Sequence, residues 1–180
     1  MSNTPATARC VPSRFASLPG LAFEINVPGD FVEPQLPQEE PRFEEPTFMM
    51  PLWVASSPVA LALVTVSARP AYEDGSVIEW VQYLAAAQGL TLKACMPGRV
   101  GPHAAILAEA TQEQDGTMLE FQFAAVQDGE FLFIVMGMVP EGLALSFRPA
   151  LERAVASFRL VSPAGPRVPL APGVPISPTA

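Results

Sequence analysis

The chain has one histidine, His103, and two cysteines, Cys10 and Cys95, among 180 residues. His103 has no second imidazole with which to share a metal ion or pass a proton, so transfer or hydrolytic chemistry is left to carboxylates and hydroxyls. Two cysteines far apart, one in a polar N-terminal stretch, make no disulfide framework and read as free thiols in a reducing compartment. Basic side chains are scarce too: 10 against 18 acidic ones, a net charge of -8. That balance opposes nucleic-acid binding, which needs clustered Lys and Arg to replace phosphate counterions. No GxxxxGK[ST] or GxGxxG phosphate loop, GxSxG elbow or HExxH helix occurs. Met1 to Phe15 lacks the apolar stretch of a secretory signal, and a bacterial-type cytoplasm is expected. These absences leave catalytic, metal and cofactor-binding residues at none, and the expected cofactor set is empty.

Hydrophobic side chains make up 49% of the chain, enough for one domain with a sizeable core. Twenty-one prolines punctuate it, and they suggest three parts. Residues 1–20, with Pro5, Pro12 and Pro19, read as a flexible lead-in, and residues 21–161 as a single domain. In 162–180 a proline falls on every third position from Pro163 to Pro178. Polyproline II has three residues per turn, so these rings would line one edge of an extended tail, a spacer more than a groove-binding ligand. Acidic side chains concentrate between Asp30 and Glu45, in a proline-rich loop at 33–46 that reads as a solvated connection. Pro46 to Ala68 carries no charge and is long enough to cross a bilayer. Pro51, Pro58 and the Ser56-Ser57 pair break it into two pieces of strand length, so stable membrane insertion is not expected.

Within the body, Leu21–Val27 alternates as a strand into the Pro28-Gly29 turn, and strands follow at about 47–54 and 59–68. Ser76-Val77-Ile78-Glu79 is a capping box for a helix that shows Val77, Val81 and Leu84 on one face and stops near Gly89. Leu90–Met96 reads as a short strand into a Pro97-Gly98 turn. Three strands at about 103–112, 117–126 and 131–139 are joined at Asp115-Gly116 and Asp128-Gly129, both suited to two-residue type I′ turns. Taken literally, the second turn sets Leu119 opposite Met138, Phe121 opposite Met136 and Phe123 opposite Ile134. The first sets Ile106, Ala108 and Ala110 beside the same row, so small residues meet large ones on one core face. Residues 149–158 form a second helix, with Pro149 in its first turn.

The opposite face of this meander collects Glu109, Thr111, Glu120 and Gln122 at one end, and Leu107, Ala124, Val126, Phe131, Phe133 and Val135 towards the other. Half of it is too apolar for water, and two short helices can hardly cover both faces of so wide a sheet. Leu107, Phe131, Phe133 and Val135 are therefore candidate partner-binding residues. Glu109 and Glu120 lie diagonally near each other and are the candidate pair for acid/base work, though the polar ends of exposed strands look the same. His103, after Gly101-Pro102, reads as a turn residue. Cys95 reads as a small core hydrophobe, and Met136 and Met138 as packing.

The element order, with Phe23–Phe31, Gly101-Pro102-His103-Ala104-Ala105 and Ala156-Ser157-Phe158-Arg159-Leu160, resembles the Mog1/PsbP-like fold group over about Leu21 to Leu160. The Gly101–Ala105 stretch is similar to its bacterial DcrB-like branch. The long acidic loop, the proline tail and Phe31, where a tryptophan is common, depart from the pattern. The resemblance implies an α+β domain, an antiparallel sheet of about six strands flanked by two main helices, with no catalytic residues to transfer. It also implies binding or assembly roles, among them type VI secretion adaptors that shield apolar helices of effector proteins. The expected function is a cytoplasmic, non-catalytic protein-binding module, an adaptor or chaperone acting as a monomer or homodimer. Its expected partner is a protein, for instance an apolar effector helix, received on the Phe131–Val135 face. The alternatives are a carboxylate-dependent hydrolase or lyase built on Glu109 and Glu120, and a small-ligand carrier with a closed pocket beneath the long loop.

Overall fold

The computed structural model describes residues 5–37, 48–71 and 75–161. Most of the acidic loop and the whole proline tail lie outside the described residues. The domain is α+β, with two antiparallel sheets and two helices. Six strands make the large sheet in the order β3-β4-β8-β7-β6-β5: β3 Met50–Ser56, β4 Leu63–Pro70, β5 Thr91–Val100, β6 His103–Gln114, β7 Thr117–Asp128 and β8 Phe131–Pro140. Three shorter strands, β1 Ala6–Val11, β2 Phe23–Pro28 and β9 Arg159–Leu160, make a second sheet in the order β1-β2-β9. Helix α1 spans Val77–Ala87 and α2 spans Ala144–Ser157.

The meander carries the fold. Asp115 and Gly116 both adopt positive φ, +51° and +76°, the geometry a type I′ corner demands. Gln114 then faces Thr117, and Ala108 and Ala110 fall opposite Phe123 and Phe121 as the spacing predicts. The second corner lies one residue later than expected. Gly129, with φ +57°, is the first loop residue and Glu130 the second, so Asp128 stays in the strand opposite Phe131. Positive φ at the first loop position alone is the type II′ pattern, which glycine also serves. The register moves by two: Leu119 faces Pro140, Phe121 faces Met138, Phe123 faces Met136, and Ile134 faces Ala125. An even shift preserves the side to which every chain atom row points, so the predicted core face survives the error.

That face is closed by α1. Trp80, Val81, Leu84 and Ala85 pack on Ala108, Ala110, Phe121, Phe123 and Ile134. The helix starts where the capping box places it. Glu79 donates its amide to Ser76 Oγ at 3.3 Å, and the Glu79 carboxylate accepts from the Ser76 amide at 3.1 Å. The Ser76 amide, and the Ser76 hydroxyl at 2.9 Å, both donate to the charged carboxylate and hold the Glu79 carboxyl below its ordinary range.

Four expectations need correction. The lead-in is not wholly irregular: Ala6–Val11 pairs along the full length of β2, from Ala6 opposite Pro28 to Val11 opposite Phe23. Its own side chains are mostly exposed, so the strand exists because β2 offers an edge, not because of an apolar pattern of its own. The strand at 23–28 belongs to this second sheet, not to the large one. Pro97-Gly98 is no turn, since β5 runs through it and reverses only at Gly101-Pro102. A Cβ on Gly98 would lie 2.5 Å from Leu107 Cδ1, so this glycine is there to let a side chain of β6 lie across β5. Finally, α2 begins at Ala144, placing Pro149 inside it. Pro149 faces solvent, where a carbonyl deprived of its amide partner can be hydrated.

The other side of the large sheet is covered in two parts. Helix α2 packs on β7 and β8; Gly137 brings it close, for a Cβ there would meet Leu151 Cβ at 2.9 Å. The second sheet covers the β3–β4 side, where Phe23 meets Trp53 edge-on at 6.2 Å between centroids. Phe158, at the end of α2, joins the parts by packing on Phe23 at 5.4 Å and Phe133 at 5.9 Å.

Candidate functional site

The four candidate partner-binding residues do not share one exposed surface. Phe133 is 1% exposed and Val135 0%, both sealed into the core beneath α2 and β2. Phe131 is half-buried against the same core, with its ring 6.4 Å from that of Phe133. Two helices indeed do not suffice, but the chain completes the cover itself with β1, β2 and β9. Leu107 is the exception. It sits two strands away, where the cover runs out.

There, between α2 and the free edge of the sheet, a groove of about 290 Å³ opens over β5, β6 and β7. Ala94 and Met96 of β5 and Leu107 of β6 lie on its floor, Met96 opposite Leu107, with Glu109 of β6 at its margin opposite Ala94. Val155 and Ala156 of α2 form its wall. Met96 is 53% exposed although the side chains around it are apolar. Polar groups are confined to the margins. Gln122 donates its side-chain amide to Glu152 Oε1 at 3.0 Å, tying β7 to α2. The Arg99 guanidinium is turned to the Pro102 carbonyl at 2.7 Å.

Past Glu109 and Gln122 the groove continues into a polar recess of about 340 Å³ that includes Lys93, Thr111, Glu120 and Arg148. The diagonal of Glu109 and Glu120 stands as predicted, Glu109 opposite Gln122 and Thr111 opposite Glu120. Glu120, however, is ion-paired with Arg148 of α2, and Glu109 is exposed. Acid/base work by two carboxylates needs one of them desolvated and left free to hold a proton. Neither is.

His103 opens β6 and accepts the Leu160 amide on Nε2 at 3.3 Å, fastening β9 to the meander. Both described cysteines are free thiols; burial pushes the Cys95 thiol up, which suits packing against the α1 side and not nucleophilic work. Among the described residues no group of three or more His, Cys, Asp or Glu side chains is placed to hold a metal ion, and no helix is long and apolar enough to cross a membrane.

Sequence reasoning missed Met96, Val155 and Ala156 as lining residues. The signal for Met96 was present: Ala94, Met96, Gly98 and Val100 continue one alternating row, which the Pro97-Gly98 dipeptide disguises as a turn.

No protein-family model matches the chain, and no curated protein matches it. Solved structures do resemble it. Cyanobacterial PsbP (CyanoP) of Synechocystis superposes with a TM-score of 0.61 at 10% identity, over 89% of this chain and 96% of that one. The fold is PsbP-like. LpqN, involved in cell envelope biogenesis of Mycobacterium tuberculosis, gives 0.58 at 10% identity, over 87% and 92% of the two chains. A protein of Bacteroides thetaiotaomicron gives 0.53 at 15% identity; 88% of this chain matches, spanning 49% of that one. Identities this low establish the PsbP-like fold and leave activity to the site.

Proposed function

We propose that the chain is a non-catalytic protein-binding module, an adaptor or chaperone, whose groove beside α2 receives an apolar segment of a protein partner. One observation carries this reading: on the face of the sheet that α2 and the second sheet cover, Met96 and Leu107 form an apolar strip left open. The groove takes a few side chains, as in the anchoring of one helix face by residues at i and i+4, and not a whole helix. That fits an apolar effector helix, the cargo that the DcrB-like resemblance suggests, handled in the cytoplasm. The acidic margin of Glu109 and Glu152 favours a partner that places a basic side chain beside its apolar anchors. The carboxylate enzyme loses support from the Glu120–Arg148 ion pair. The carrier reading places its closed pocket beneath the loop at 33–46, most of which lies outside the described residues.

Affinity capture with paired variants tests the proposal. A partner held by the wild-type chain and by Tyr83→Glu, a change on the exposed side of α1, should be lost by folded Met96→Glu. Burying a methionine contributes roughly 1.5–3 kcal/mol, so affinity should fall by about tenfold to a hundredfold. Equal capture by Met96→Glu and wild type would remove the groove as the docking surface.

A further inference from the structure

Resting on that reading, we propose that the groove is also the seat of the chain's own proline-rich segment, residues 162–180, which occupies it until a partner displaces it. The argument starts from where the described chain stops. Val161 donates its amide to the Ala22 carbonyl at 3.0 Å, Leu160 is fastened to His103, and Gly101 donates to the Ala156 carbonyl at 3.2 Å. Leu160 and the end of α2 are therefore held at the β5–β6 corner, whose preceding residues Arg99 and Val100 line the groove. Chain leaving Val161 starts one residue from that corner.

Length permits the contact. The floor from Ala94 to Val100 spans about 20 Å of strand. Nineteen residues at the polyproline II rise of about 3.1 Å reach about 60 Å, three times what is needed. Chemistry favours it as well. Val168, Leu170, Val174 and Ile176 interleave with the prolines, and Arg167 is the one charged side chain from 162 to 179. The groove offers Met96, Leu107 and Val155 to the apolar residues. With Arg99 turned aside to Pro102, its margin offers Glu109 and Glu152 to Arg167. A tethered segment meets its site at an effective concentration on the order of millimolar, so even a weak contact is populated without a second molecule. Prolines on every third position also restrict the free chain, so less entropy is lost on docking than for an ordinary segment.

The test uses the full chain with a nitroxide at Ala171→Cys in a Cys10→Ser, Cys95→Ala background, isotope-labelled and observed by NMR. The expected result is severalfold stronger broadening of the amides of Met96, Leu107 and Glu152 than of Tyr83 on the opposite side. Arg167→Glu should weaken that broadening, and Met96→Glu should abolish it. Groove amides no more broadened than Tyr83 would overturn the proposal. So would broadening that appears only between spin-labelled and isotope-labelled copies in a mixture, since the segment would then belong to a second molecule. If the segment stays away while a partner is still lost on Met96→Glu, this inference falls and the binding function stands. If Met96→Glu leaves partner capture intact, the function falls on its own.

Discussion

The two faces of the large sheet are closed by different means, and the difference locates the site. On one face a single helix, α1, seals β5 to β8 with four side chains on a continuous apolar row. On the other, α2 and the second sheet divide the work over β3, β4, β7 and β8, and the outer face of β5 and β6 is left with Leu107 and Met96. The helices are also anchored differently. Helix α1 carries its own capping box, whereas α2 has no side-chain cap and is held by Phe158, Leu151 and the ion pair of Arg148 with Glu120. The first face is locally encoded; the second depends on contacts between distant parts of the chain.

The largest effect should come from cutting the joint of the second face. Phe133→Ala removes a ring packed on Phe158 and should cost about 3–5 kcal/mol in denaturant unfolding. Phe133→Glu, which would be a surface change if this strand faced a partner, should instead prevent folding, as it buries an unpaired charge. A smaller loss, about 1–3 kcal/mol, should follow Gly137→Ala, because the backbone-proximal Leu151 Cβ cannot move aside without shifting α2. On the α1 side, Ser76→Ala deletes the capping hydroxyl and should cost about 1 kcal/mol. The Glu79 carboxyl is lowered in the folded state, so its contribution is present above the unfolded value and is lost as pH falls through the lowered folded one. Circular dichroism across that acid range should therefore show α1 weakening in wild type, and Ser76→Ala should flatten the dependence. The smallest stability change belongs to Met96→Glu, within about 0.5 kcal/mol, although it should have the greatest effect on binding.

What was legible in the sequence follows the same division. Asp115-Gly116, the capping box and the Ala108–Ala110 against Phe121–Phe123 pairing are local signals, and each is found in the structure. The six-stranded antiparallel sheet with two helices follows from them. The Gly129-Glu130 corner escaped because one glycine serves two turn types, yet the faces held because the slip was even. What was not legible is long-range. β1 becomes a strand only against β2, and β9 is two residues long, so nothing local announced the sheet that buries Phe133 and Val135. Phe131, Phe133 and Val135 therefore lie where the chain covers itself, and Leu107 alone of the four candidates lines the open groove.

The most direct test is chemical-shift mapping on the isotope-labelled chain, titrated with the apolar segment of a captured partner. The account predicts shifts clustered at residues 94–100, 107–109 and 152–156, with α1 silent. Shifts centred on Tyr83 and the exposed side of α1, or on β1, would contradict it.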